Sequence, residues 1–225
     1  MKCFKLTDQD GRTRGNTQWG PGVTHSGTGR GDLCGPGWIH GYNDPLVAVL
    51  HNPIHADITN PRLWECEGDG KHLDDRGLKI GYEHLTTVQE IPVPGVTTTQ
   101  RVAYAIYCVM EYYDDPAWLS WASDWLSGAD RSVAAADAAA AAAMVARTAA
   151  MADSSTSRTT EDAAETASWT AEAASEWTAA RTAARASRAW AWASAWAAAE
   201  AAAEAATNAP IDFPALARRA MEVKP

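Results

Sequence analysis

The side chains able to do acid-base, nucleophilic or metal chemistry crowd into the first half of this 225-residue chain. Glu65 and Glu67, with Asp69 nearby, are candidate general acids or bases at a strand end, although the alternation in Trp64-Glu65-Cys66-Glu67 is equally that of a half-buried strand with its acids in water. His40, in Gly37-Trp38-Ile39-His40, joins them as a candidate catalytic residue. His51-x-x-x-His55, with Cys66 and His72, offers four conceivable zinc ligands. Pro53 is expected to break the helix that would put the histidine pair on one face, and the spacing is not that of a zinc finger, so no metal is assigned. The run from His25 to Asp32 has the glycine content of a phosphate-cradling loop but matches neither G-x-G-x-x-G nor the P-loop. Its candidate ligand-binding residues are Gly27, Gly29 and Arg30. No cofactor is implied.

These residues must be positioned by short elements. Up to about Pro94 the chain is rich in Gly, Pro, Asp and Asn, with apolar bursts at Cys3 to Leu6, Trp38 to Tyr42, Leu63 to Cys66, Leu78 to Tyr82 and Val88 to Val93, which read as strands. One helix interrupts them. Asn43 or Asp44 caps it, Pro45 suits its first position, and Asn52-Pro53 is expected to stop it.

Thr97-Thr98-Thr99-Gln100 has capping-box spacing, and Val102, Ile106, Val109 and Tyr113 then fall on one helical face. Asp114-Asp115-Pro116 separates that helix from a second, in which Trp118, Trp121 and Trp125 repeat at helical steps before Ser127-Gly128. From Asp130 the composition changes to alanine with interspersed Trp, Thr, Ser, Glu and Arg, and there is no Gly or Pro from Ala129 through Ala209. Alanine has the highest helix propensity, so long helices are expected over about 131–151 and 161–206, with a short one over Phe213 to Met221.

Alanine faces let helices approach closely but bury little area, whereas each indole buries roughly 150 to 250 Å². Eight of the 11 tryptophans lie from Trp118 onward and are the expected pins of the helical layer. Along 161–206, Trp190, Trp192 and Trp196 point in different directions, and Arg181, Arg185 and Arg188 gather opposite Glu161, Glu165, Glu172 and Glu176. Such a segment needs neighbours on more than one side. Trp169, Trp177, Arg181, Arg185, Arg188, Trp190, Trp192 and Trp196 are therefore the candidate interaction residues, for a protein partner or a second copy.

The formal charge of −9 argues against nucleic acid or an anionic membrane as partner, since both would repel the chain. Four scattered cysteines without a C-x-x-C pair read as reduced thiols. The opening MKCFKLTDQDG turns polar before a leader's apolar core could form, and no apolar run approaches the roughly 20 residues of a spanning helix. A cytoplasmic setting is expected.

At Leu33-Cys34-Gly35-Pro36-Gly37-Trp38-Ile39-His40 followed by Pro45-Leu46, at Leu63-Trp64-Glu65-Cys66-Glu67-Gly68, and at the opening Lys2-Cys3-Phe4-Lys5, the first half resembles an uncharacterised domain family that recurs in phage and bacterial proteins. In some members a segment similar to Gln100-Arg101-Val102, Trp118, Trp121-Ala122, Trp125-Leu126-Ser127-Gly128 and Asp130-Arg131-Ser132 leads into an Ala-rich tail. The resemblance covers about residues 1–150 and implies a phage or prophage origin, in host cytoplasm or virion, without implying catalytic residues. A fainter likeness is to ADP-ribosyltransferase folds, where a glycine-aromatic strand precedes a short helix as Gly37 to His40 precedes Pro45 to Leu50.

The fold class expected is α+β. A mixed α/β domain over 1–95 precedes two connecting helices over 96–128 and an Ala/Trp-rich helical hairpin or bundle over 129–225. The function expected first is that of a non-enzymatic, phage-type structural or interaction protein, self-associating through its Ala/Trp helices. The alternative is a small nucleotide- or NAD-handling enzyme with its site near Gly29, His40 and Glu65.

Overall fold

A computed structural model describes residues 1–152, 158–180 and 211–224. The fold is α+β, and the chain divides into two compact units, Met1–Gly95 with Asp212–Pro214, and Val96–Ile211 with Ala215–Pro225. Among the described residues no helix is long and apolar enough to cross a membrane.

The first unit is an antiparallel sheet with one helix. Strands β1 (Lys2–Thr7), β6 (Arg62–Asp74) and β7 (Ile80–Ile91) lie side by side, and the outer edge of β7 pairs with both β4 (Thr24–Ser26) and β5 (Ile39–Gly41). A small separate ribbon is made by β2 (Arg12–Thr13) and β3 (Thr17–Gln18), joined by a 3-10 turn over Arg14–Asn16. Just beyond β5, Tyr42 exchanges two backbone hydrogen bonds with Phe4 of β1, at 2.8 and 2.9 Å. The far side of the sheet thus returns to its first strand, which removes unpaired edge there. Inside the curl lie Cys3, Trp19, Trp64, Cys66, Ile80, Tyr82 and Leu85. Gly68 is required where β6 passes Tyr82, because a Cβ at that position would run into the ring.

The strands differ from the apolar bursts in instructive ways. Two expected strands, Leu78 to Tyr82 and Val88 to Val93, are one continuous β7, because pairing with β6 carries the polar stretch between them. Their hairpin closes through Arg76 and Gly77, both at positive φ (51° and 89°), with Leu78 N–H donating to Asp75 O at 2.9 Å. This is the geometry that matches the right-handed twist of paired strands.

Helix α1 (Pro45–His55) starts as expected: Asp44 accepts from the backbone N–H of Leu46 at 2.8 Å and Pro45 opens the first turn. Its end corrects the expectation, since the helix runs through Asn52-Pro53 to His55. Asn52 holds the last turn, its carbonyl accepting from Ala56 N–H at 3.0 Å and its amide exchanging bonds with Ile58 at 2.9 and 3.1 Å. A proline removes one helical donor, and these bonds offset that loss.

The second unit is helical. In α2 (Thr98–Met110) the capping box forms as its spacing implies: Gln100 N–H donates to Thr97 Oγ1 at 3.2 Å and Thr97 N–H to Gln100 Oε1 at 2.9 Å. Helix α3 (Pro116–Ser127) is capped by Asp115, whose carboxylate accepts from Trp118 N–H at 2.8 Å, and ends on Gly128 at φ 80°. Then come α4 (Val133–Ala152), α5 (Arg158–Ala180) and α6 (Phe213–Met221). Of the helix expected over 161–206, the described part lies in α5. Arg181, Arg185, Arg188, Trp190, Trp192 and Trp196 lie outside the described residues.

Helix α5 packs against both α2 and α4, and α3 packs against α4. The facing stripes are alanine: Ala136, Ala139, Ala140 and Ala143 on α4, and Ala164, Ala167, Ala171 and Ala174 on α5. Trp118 and Trp125 are fully buried, and the Trp118 indole N–H donates to the Ala167 carbonyl of α5 at 3.1 Å. Replacing Trp118→Phe removes that donor and some packed volume, and should lower the stability seen in urea unfolding by about 1 to 3 kcal/mol. Trp169→Phe, at a position 41 % exposed, should cost less than about 0.5 kcal/mol. Equal losses in the two variants would refute the anchoring role of Trp118.

Candidate functional site

The seam between β1 and β5 carries the site. Strand alternation points Cys3 and Lys5 the same way, toward the interior of the curl. Lys5 is half-buried; its Nζ donates to the His40 carbonyl at 2.8 Å and lies 4.6 Å from the centre of the Trp19 ring. Trp19 is held in turn by its indole N–H, which donates to Thr13 Oγ1 at 3.0 Å across the β2–β3 ribbon. Among the described residues no carboxylate forms an ion pair with Lys5. Burial pushes its ammonium down to about 8, well below the usual lysine range.

Lys5 lines a cavity of about 380 Å³ whose wall also includes Arg14, Cys34, His40, Tyr42, His55 and Lys79. That volume suits a metabolite-sized ligand. Lys79 bonds Asp75 at 3.3 Å and donates to Cys34 Sγ at 3.4 Å. Arg14 is brought to the cavity by the 3-10 turn, where Gly15 adopts φ 75°. Three cations therefore face one cavity, and no carboxylate is among the described residues that line it. Cys34 is the exposed thiol of the four free cysteines; Cys3, Cys66 and Cys108 are buried.

The histidines near the cavity are held neutral. His51, fully buried on α1, is pushed down to about 3 by burial, with repulsion from His55 adding to it. His55 is pushed down to about 4, first by burial and then by the charge of Lys79. His40 is lowered by burial and by Lys5 and Lys79, against the opposing effect of its Nε2–H bond to the Leu33 carbonyl at 2.5 Å. His55 Nδ1 and the Tyr42 hydroxyl share a hydrogen bond at 3.0 Å, and their rings stack at 5.9 Å.

Of the residues singled out from sequence, His40 lines the cavity. Glu65 does not: the register sets it opposite Phe4, on the face away from Lys5, and it pairs with Lys2 at 3.0 Å. Glu67 is exposed opposite Lys2. Gly27 and Gly29 are not part of the cavity wall. Gly27 N–H donates to Glu83 O at 2.7 Å and Gly29 N–H to Gly37 O at 3.0 Å, and a Cβ on Gly27 would collide with the Gly37 carbonyl. Arg30 is exposed and is not part of the cavity wall. His51 and His55 do share one helix, with ring centres 5.4 Å apart, contrary to the break expected at Pro53, because α1 continues through it. Cys66 and His72 lie apart from them on β6, and among the described residues no three His, Cys, Asp or Glu side chains gather in ligand geometry. Trp169 is exposed on α5, and Trp177 lies on the same helix.

Lys5, Arg14 and Lys79 are the residues that sequence reading missed. A lysine alternating with the interior residues Cys3 and Thr7 was the available signal for Lys5. Arg14 and Lys79 have no local signature, since only the sheet's closure brings them to Lys5. No family model, curated protein or solved structure matches the chain.

The neutral histidines set an acid limit on stability. Both folded values lie below the ordinary 6.5, so the unfolded chain takes up protons that the folded chain refuses as pH falls from about 6.5 toward about 4 at His55 and about 3 at His51. Their stabilising effect is complete at neutral pH and is lost through that window. Urea unfolding at about pH 7 and about pH 5 should show that His51→Gln, which cannot titrate there, loses clearly less stability than the parent. Identical losses would remove His51 from this account.

Proposed function

We propose that the N-terminal unit is a binding module for a small anionic ligand bearing a phosphate or carboxylate group, and that it acts by holding that ligand. The observation that carries this reading is the cluster of Lys5, Arg14 and Lys79 on one cavity, free of lining carboxylates among the described residues, in a chain with 28 acidic and 19 basic residues. A half-buried ammonium without a carboxylate partner is costly, and an anion in the cavity would offset its lost hydration. The guanidinium of Arg14 suits two-pronged recognition of phosphate or carboxylate, and Lys79 adds a point charge. A nucleotide-handling enzyme would use the same anion site, yet the cavity joins His40 to neither Glu65 nor Glu67. Binding is therefore favoured over group transfer.

Titration calorimetry with sulfate, whose charge is constant from about pH 6 to about pH 10, tests the reading. The protonated form of Lys5 is present below about 8 and is lost above it. Affinity should accordingly be full near pH 7 and fall as pH rises through that value. Lys5→Met should lose the pH dependence together with about 1.5 to 3 kcal/mol of binding, roughly ten- to 100-fold. No binding of sulfate or pyrophosphate by the parent would overturn the proposal.

A second reading, self-association of the helical unit, is favoured by Trp169, which α5 leaves 41 % exposed. An indole in water on an alanine-rich helix is the kind of anchor that protein interfaces bury. Light scattering should find the full chain oligomeric and Trp169→Asp dissociated. A monomeric parent at micromolar concentration would exclude this reading.

A further inference from the structure

We infer that Lys5 is a covalent attachment point for a carbonyl-bearing anion, an aldehyde or ketone whose phosphate or carboxylate group is held by Arg14 and Lys79 while its carbonyl carbon meets Lys5 Nζ. This rests on the anion-binding reading and specifies its ligand. An amine that attacks carbonyls must be reachable from a cavity, free of a carboxylate that locks it as an ammonium, and fixed in direction. The chain has five lysines, Lys2, Lys5, Lys71, Lys79 and Lys224. Only Lys5 and Lys79 line the cavity. Lys79 is paired with Asp75 and Lys2 with Glu65, whereas Lys5 has no ion-pair partner among the described residues.

Lys5 Nζ is also oriented, by its 2.8 Å bond to the His40 carbonyl and by the Trp19 ring beneath it. The groups around it are the thiols of Cys3 and Cys66 on β1 and β6, neutral His40 on β5, and Trp19. None of them is a carboxylate. The lowered basicity of the amine supports the same conclusion, because an appreciable neutral fraction then exists at mildly alkaline pH.

The step is a condensation. The Nζ lone pair attacks the carbonyl carbon and the C=O π pair moves to oxygen. Two protons pass from nitrogen to that oxygen, which leaves as water while the C=N bond forms. No oxidant or reductant is involved, and hydrolysis reverses it.

Pyridoxal phosphate, a phosphorylated aromatic aldehyde, serves as the probe on the full chain at about pH 8. Borohydride then adds hydride to the imine carbon and fixes the adduct as a secondary amine, which peptide mass mapping locates. The expected result is labelling at Lys5 ahead of the other four lysines and the Met1 amine, suppressed by excess pyrophosphate. Pyridoxal, which lacks the phosphate, should need at least about tenfold more reagent for half-labelling. Lys5→Arg should abolish the adduct, and Lys79→Gln should keep it at a higher half-saturating concentration.

Uniform labelling of all lysines, or Lys5 labelling indifferent to pyrophosphate, would overturn the inference. The unmodified chain alone decides this if a Lys5 variant fails to fold. If pyrophosphate binds but Lys5 is not labelled, the covalent role falls and the anion module stands. If pyrophosphate does not bind, both fall.

Discussion

Two backbone hydrogen bonds between Phe4 and Tyr42 hold the first strand to the segment that follows β5, and the site exists because of them. They set Lys5, the neighbour of Phe4, across one seam from β5, which precedes Tyr42, and this is why the lysine ammonium can reach the His40 carbonyl. They also curl the sheet around Cys3, Trp19, Trp64, Cys66 and Tyr82, so that an inward-pointing lysine meets an indole and two thiols in place of water. An open sheet with the same strands would leave Lys5 hydrated and ordinary.

Burial and charge compete at this seam, and burial wins. The Trp19 face and the His40 carbonyl each stabilise the ammonium, a cation-π contact by about 0.5 to 2 kcal/mol, yet Lys5 still sits at about 8. The two contacts do not replace the water that folding removed. The neighbouring cations are balanced only in part, by the Asp75 carboxylate on Lys79. The same positive field, acting after burial, keeps His40 and His55 neutral and leaves the three cations as the cavity's charge.

The helical unit solves a different problem. Alanine stripes on α4 and α5 allow close approach but bury little area per residue, so the pair depends on larger groups at its margins. Trp118 supplies one, with its ring buried on α3 and its N–H spent on an α5 carbonyl. Thr166 and Thr170 satisfy their hydroxyls within α5, donating to the carbonyls four residues back at 2.8 and 2.9 Å, which lets polar side chains sit inside an otherwise apolar contact.

Local chemistry was legible in the amino-acid order. Asp44-Pro45, Thr97 with Gln100, Asp115-Pro116 and Gly128 announce helix ends because a cap is a contact between residues two to four apart. Helix α4, and α5 as far as Ala180, followed from alanine propensity for the same reason. Pro53 misled because its penalty is local while the bonds that offset it run from Asn52 to Ile58. The paired strands β6 and β7 outran their apolar bursts because each supplies the other's hydrogen bonds. What the sequence by itself determined is therefore the set of elements with strong local signals, together with the acidic charge. The cationic cavity was decided by tertiary structure alone, since Lys5, Arg14 and Lys79 are distant in the chain and meet only when backbone bonds across the seam close the sheet.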